Sequence, residues 1–231
     1  MGIQQWRKVV GIKYIRKYTM NNLFNWFRGD ADMSQAKVLN EREIKKCLLY
    51  ISARRHASRN RCMFLLTHQS GMRVGEVAAL RLCDVLTTDA QIKEEIRLSA
   101  EQTKGDRSRT VYLPQKTQQE IKSYLLTRFK VRDLQPLTLT DTKRALFATQ
   151  KNNTRGFSAN TMCQYFHYLY KECGVEGASS HSGRRGFITS LASKGVSVRV
   201  LQELAGHRSL AVTQKYIEVN HQLMRNAVEL V

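Results

Sequence analysis

A mainly helical α+β fold with a small antiparallel β-sheet is what this sequence predicts, on three observations. Helix-start signals recur along the chain: Asn40-Glu41-Arg42-Glu43 has the form of a capping box, and Ser158, Ser197 and Ser209 each precede residues at helical spacing. Only residues 91–98 and 109–113 read convincingly as strands, with a glycine-containing turn at Lys104-Gly105-Asp106 between them. The length of 231 residues suffices for one good core, or a core with a small appendage.

Taken in order, residues 1–36 make a basic aromatic arm. Arg7, Lys8, Lys13, Arg16, Lys17 and Arg28 are interleaved with Trp6, Tyr14, Tyr18, Phe24, Trp26 and Phe27. Such a mixture can track a phosphate backbone, or pack its rings on the main body, and the residues do not choose between the two. Gly29 to Ser34 reads as a linker, because small and acidic residues replace the apolar periodicity.

The capping box at Asn40 opens a helix through Ile44, Leu48, Leu49 and Ile51. A second helix, with Met63, Phe64, Leu65 and Leu66, leads to Gly71, which turns the chain so that Arg73 emerges beside a short helix from Gly75 to Leu80. Arg73 and Glu76 are three positions apart, so the carboxylate can brace the guanidinium; a plain surface ion pair has the same spacing. Residues 115–131 carry Ile121, Tyr124, Leu125 and Phe129 at helical spacing, and Leu146-Phe147-Ala148 is a short buried strand or loop. Ser158 caps a helix to Cys173, whose aromatic residues suit core packing and whose Thr161, Gln164 and His167 can line a polar ligand. Asn220 can cap a last helix, 220–231, with Leu223, Met224, Ala227 and Val228 as an apolar stripe.

Composition narrows the class. Lys and Arg number 38 against 19 Asp and Glu, and the net charge of +19 favours a polyanion, with nucleic acid ahead of a membrane surface. No apolar run approaches the roughly 18 residues of a spanning helix, and no signal peptide is evident, so a cytoplasmic protein is expected. Five cysteines without a C-x-x-C pair read as reduced thiols. Cys163 and His167 have helical spacing, but two ligands make no metal site, and no metal or cofactor is expected.

Chemistry concentrates between Ser180 and Tyr216. His181 and Arg184 lie three apart, on one face of a helix started by Ser179 or Ser180; Arg185 is also within helical reach of His181, so spacing leaves the choice of arginine open. A short helix capped by Ser197 ends at Gly206 and delivers His207 to a turn. Ser209 caps a further helix with Leu210 and Val212 facing inward, and that helix carries Tyr216. Arginine forks bind non-bridging phosphate oxygens, histidine moves a proton near neutral pH, and a tyrosyl oxygen is a competent nucleophile.

His181-x-x-Arg184, then Gly206-His207, then Tyr216 nine residues beyond that histidine resemble the tyrosine recombinase (phage integrase) family. Ser70 to Leu80 resembles the box that carries the family's first catalytic arginine, here Arg73, and Thr103 to Arg109 resembles the hairpin that carries its mobile lysine, here Lys104. The resemblance selects Arg184 over Arg185. It implies a catalytic domain over residues 37–231, preceded by the arm. It also implies catalytic roles: Arg73 and Arg184 hold the scissile phosphate, and His207 adds a hydrogen bond. Tyr216 attacks to give a 3′-phosphotyrosyl link, Lys104 protonates the departing 5′ oxygen, and His181 assists proton transfer. The link conserves the phosphodiester's energy, so neither nucleotide nor metal is called for.

The implied function is site-specific DNA recombination of the integrase, excisionase or invertase type, through a Holliday junction. A type IB topoisomerase-like strand transferase and a non-catalytic DNA-binding accessory factor are the alternatives. Double-stranded DNA is the expected partner. A homo-tetramer assembled on it through the C-terminal helix follows from the resemblance, as do accessory or directionality proteins and nucleoid association. The 36 residues ahead of the catalytic region depart from the family's larger core-binding domain, so a minimal member is expected.

Overall fold

The structure, a computed structural model, describes residues 36–103, 107–150, 152, 154–216, 224–225 and 228–229. Nearly all of the arm, Lys104 with its turn, and most of the expected last helix lie outside the described residues.

Helix α1 (Glu41–Ser52) begins at the expected capping box: Asn40 Oδ1 accepts from Glu43 N at 2.9 Å, and Glu43 Oε2 accepts from Asn40 N at 3.0 Å. It buries Cys47 and Ile51, while Leu49 faces outward, 72% exposed. Helix α2 (Ala57–Gln69) is the hub of the core. Cys62, Met63, Phe64, Leu65 and Leu66 are each at most 1% exposed, and five consecutive residues point around the whole helix, so it must be surrounded. The surrounding is done by α1, α5 (Gln115–Arg128) and α8 (Ser182–Ser193). Gly183 sets the approach of α8: a β-carbon there would lie 2.5 Å from Thr67 Oγ1.

Helices α3 (Val74–Ala79) and α4 (Leu82–Val85) follow, then the hairpin β1 (Glu95–Leu98) and β2 (Arg109–Tyr112), with a 3-10 turn at Ala100–Gln102. The pairing is antiparallel, Ile96 opposite Val111 and Leu98 opposite Arg109. The first strand is shorter than residues 91–98 suggest, because Lys93 N bonds to Val85 O and Ile92 bridges Leu86 instead of joining the ladder. Helix α6 (Val131–Thr140) leads to the buried Ala145–Ala148 segment, held by isolated bridges rather than a strand. Helix α7 (Ala159–Glu172) is capped by Ser158 and buries Phe166 and Tyr170; the Tyr170 hydroxyl shares a 3.1 Å hydrogen bond with His68 Nε2. Its rings are core.

Three expectations near the C-terminal end are corrected. Helix α8 starts at Ser182, with His181 as its N-cap, because Ser179 and Ser182 form a reciprocal turn: Ser182 Oγ accepts from Ser179 N and Ser179 O accepts from Ser182 N. Leu210 and Val212 of α10 (Leu210–Gln214) do not face inward; they are 41% and 40% exposed, and Thr213 takes the buried position. Tyr216 sits in the turn just past that helix, its N bonded to Thr213 O. Helix α9 (Val198–Ala205) keeps its expected ends, the Ser197 cap and Gly206 in the left-handed conformation at φ 59°.

Candidate active site

Four segments meet at one place, and a buried carboxylate organises it. Arg73 is the N-cap of α3, so its side chain leaves the start of the helix while Glu76 reaches back from the first turn. Glu76 Oε2 accepts from Arg73 N at 2.8 Å and Oε1 from Arg73 Nη1 at 2.9 Å. This is the expected brace, but Glu76 does more. Its two oxygens also accept from Arg109 Nε at 3.1 Å and Nη2 at 2.6 Å. Burial pushes the Glu76 carboxyl up, and the hydrogen bonds and charge of Arg109, with those of Arg73, more than offset it, so the group stays below the ordinary carboxylate range.

Arg109 is the residue that sequence reasoning overlooked. Its remaining fork donates from Nη1 to Leu204 O at 3.0 Å, in the last turn of α9. Strand alternation held a clue: Arg109 is on the same face of β2 as buried Val111, and an arginine turned inward needs a partner.

Arg184 rises from the first turn of α8 into the same place and is 6% exposed. Its Nη1 donates to Gly71 O at 2.8 Å, and its Nη2 donates to Ala205 O. Gly71 can present that carbonyl because it occupies the left-handed region at φ 62°, where a side chain would also run into the Phe187 ring. Arg185 lies at the edge of the place instead, with Nη1 donating to Ala36 O at 2.9 Å and its guanidinium 6.0 Å from the Tyr216 ring centre. The choice that helical spacing left open is thus made by burial. Desolvation, together with the charges of Arg73 and Arg109, holds Arg184 below the usual arginine range.

Two adjacent carbonyls at the C-terminal end of α9 therefore accept from two arginines, where the helix dipole favours positive charge. Just beyond, His207 is fixed on three sides. Its N donates to Gln202 O, its O accepts from Gln202 Nε2 at 3.1 Å, and its Nδ1 lies 2.9 Å from Thr213 Oγ1. Its ring stacks on Tyr216, with centroids 5.6 Å apart and planes 22° apart. Burial and the charges of Arg184, Arg73 and Arg109 push the His207 pKa down to about 4, so the imidazole is neutral at pH 7. His181 lines a cleft of about 500 Å³ together with Arg73, Glu76, Gln102, Phe157 and Cys163.

Of the sequence-predicted residues, Arg73, Glu76, Arg184, His207 and Tyr216 are brought together, and His181 borders the cleft that Arg73 lines. Lys104 lies outside the described residues. Lys93, ahead of β1, is engaged: its Nζ donates to Cys83 O at 2.7 Å. Three guanidinium groups around one carboxylate leave surplus positive charge, which suits a bound anion. Among the described residues no group of three or more His, Cys, Asp or Glu could hold a metal ion, and no helix is long and apolar enough to cross a membrane.

A fold of this kind, with arginines, a histidine and a tyrosine converging on one place, is that of tyrosine recombinase catalytic domains. The XerA recombinase structure superposes with a TM-score of 0.64 over 86% of this chain and 66% of that one, at 24% identity. The Tn1549 transposon integrase, solved in complex with transposon right end DNA, gives 0.63 over 94% and 72%, at 18% identity. In sequence the chain is 30% identical to the tyrosine recombinase XerA of Pyrococcus furiosus over 194 residues, 84% of this chain and 61% of the relative. It is 32% identical to XerC of Thermodesulfovibrio yellowstonii over 163 residues, 70% of this chain and 50% of that one. The profile of the phage integrase family matches residues 37–222, and the chain belongs to that family. It spans 61% to 63% of the length of the XerA relatives it matches.

Proposed function

We propose that this chain is a DNA strand transferase that carries out site-specific recombination through a 3′-phosphotyrosyl intermediate. The observation that carries the reading is the convergence of Arg73, Arg184 and His207 beside Tyr216 from remote parts of the chain. The relatives named tyrosine recombinases, and solved neighbours bound to DNA, support the reaction and double-stranded DNA as the partner.

In this reading Arg73 and Arg184 bind the non-bridging oxygens of the scissile phosphate and offset the charge that builds in the pentacoordinate transition state. Neutral His207, in the tautomer this reading assigns, accepts at Nδ1 from the Thr213 hydroxyl 2.9 Å away and keeps an N–H on Nε2 for a third hydrogen bond. The Tyr216 oxygen attacks in line, a P–O bond to tyrosine forms as the P–O5′ bond breaks, and Lys104 supplies the proton to the departing oxygen. The Tyr216 hydroxyl gives up its proton as it attacks, and His181, at the cleft edge, assists that transfer. Attack by a partner strand's 5′ hydroxyl reverses the step, and two rounds exchange strands through a Holliday junction.

Residues 37–231 form the catalytic domain in this proposal, preceded by the basic aromatic arm of residues 1–36. Four copies assemble on two duplexes through the segment after Asn220, with accessory proteins setting direction, in the cytoplasm at the nucleoid.

The test is covalent capture. A random-sequence pool of nicked duplexes is incubated with the protein, and the DNA that stays bound in denaturant is sequenced to reveal the cleaved site. Tyr216→Phe is expected to bind the same duplex and yield no adduct. Failure of the wild-type chain to capture any member of the pool overturns the reading; single-duplex relaxation without junctions moves it to a topoisomerase.

A further inference from the structure

We infer that Arg109 is a positioning residue of the cleavage reaction, which sets Arg73 and His207 in register with one another through Glu76 and the end of α9. The inference rests on the strand-transfer reading above and adds to it a residue outside the catalytic set.

The geometry is that of a single planar group bridging two otherwise separate parts of the site. One edge of the Arg109 guanidinium donates two hydrogen bonds to Glu76, which in turn holds both the backbone and the side chain of Arg73. The other edge donates to Leu204 O, three residues before His207. The side chain is 8% exposed, and its partner Glu76 is 1% exposed. Against an apolar pair of the same shape, a buried ion pair of this kind contributes little net stability, because desolvation of both partners cancels most of the attraction, although losing one partner alone strands the other charge; its value lies in fixed geometry. The fit at Gly206 agrees. A β-carbon at that residue would lie 2.7 Å from Arg109 Cδ, so the turn that delivers His207 is shaped around the arginine's stem. Only a fork with donors on two edges can make both connections at once; an ammonium reaches one or the other.

The expected consequence is a defect in chemistry rather than in binding. With the nicked duplex recovered from the pool, Arg109→Gln and Arg109→Lys should slow single-turnover cleavage at saturating DNA on the order of 10- to 100-fold. The Kd for the duplex and the final adduct yield, which counts folded protein, should hold. Lysine should fail to rescue despite its charge. The double variant Glu76→Gln/Arg109→Gln should be no slower than the worse single variant, since both act along one connection.

Arg109→Gln cleaving at the wild-type rate overturns the inference. So does a loss confined to adduct yield with an unchanged rate, which marks a folding role alone, and so do additive losses in the double variant. If Arg109→Gln does not fold, the rate and yield of Arg109→Lys decide. A wild-type chain that captures no DNA sinks the underlying function instead, so the two failures are distinguishable.

Discussion

Glu76 carries a negative charge to a position 1% exposed, which is costly unless the charge is paired. Arg73 and Arg109 together fill its acceptor sites, and this explains how a carboxylate stays ionised while buried. Glu76 and His207 both have folded pKa values below their ordinary ones, so the sign of their pH dependence is the same. Neutral His207 favours the folded state: its contribution is whole above pH 6.5 and is lost as the pH falls toward about 4. The Glu76 contribution is whole above its ordinary value of 4.5 and is lost below that. His207→Gln should therefore lose less stability than wild type between pH 7.5 and 4.5, as read by urea unfolding at the two pH values. His68, pushed down to about 3 by burial, adds the same background to both proteins. An equal loss in the two proteins would show that His207 is not held neutral.

Among the elements, α10 shows how local signals mislead. Ser209 caps it as expected, and Leu210 and Val212 look like its inward pair. Yet the position that turns in is Thr213, because its hydroxyl and His207 Nδ1 satisfy each other there. Thr213→Val keeps the shape and removes that bond. It should cost about 1 kcal/mol of stability by thermal unfolding, while slowing cleavage more than tenfold because His207 loses its orienting contact. Helix α2 makes the opposite case, since the apolar run from Met63 to Leu66 that marked it in the sequence is buried throughout. Phe64→Ala in its middle should destabilise the fold by roughly 3–5 kcal/mol in denaturant titration without changing the cleavage rate of what remains folded. For the strands, the antiparallel pairing of the two segments was legible but the start of β1 was not, because Ile92 and Lys93 pair with α4 and its flank rather than with β2.

For the whole molecule, the formal charge of +19 makes the proposed DNA binding largely a matter of counterion release. Affinity should fall steeply between 50 and 200 mM salt, each neutralised phosphate contributing a log–log slope of about −0.9. Fluorescence anisotropy on a duplex of unrelated sequence measures it, and a flat titration would contradict a phosphate-dominated interface.

The sequence by itself determined the kinds of group in the site and the local scaffolds that carry them. Spacing of a few residues is governed by helix geometry and caps, which act within one turn: the box at Asn40, the caps at Ser158 and Ser197, and the left-handed Gly206 all follow from that. Helical spacing left two arginines open and the resemblance selected Arg184; tertiary structure alone decided what holds it there. Arg184 and Arg185 are neighbours in a helix, and the carbonyls of Gly71 and Ala205, contributed by distant turns, are the physical reason that Arg184 is the one drawn inward. Arg109 was hidden for the same reason: its partners, Glu76 and Leu204, lie 33 residues before it and 95 after it, and no local periodicity records a buried charge that far from its counterpart.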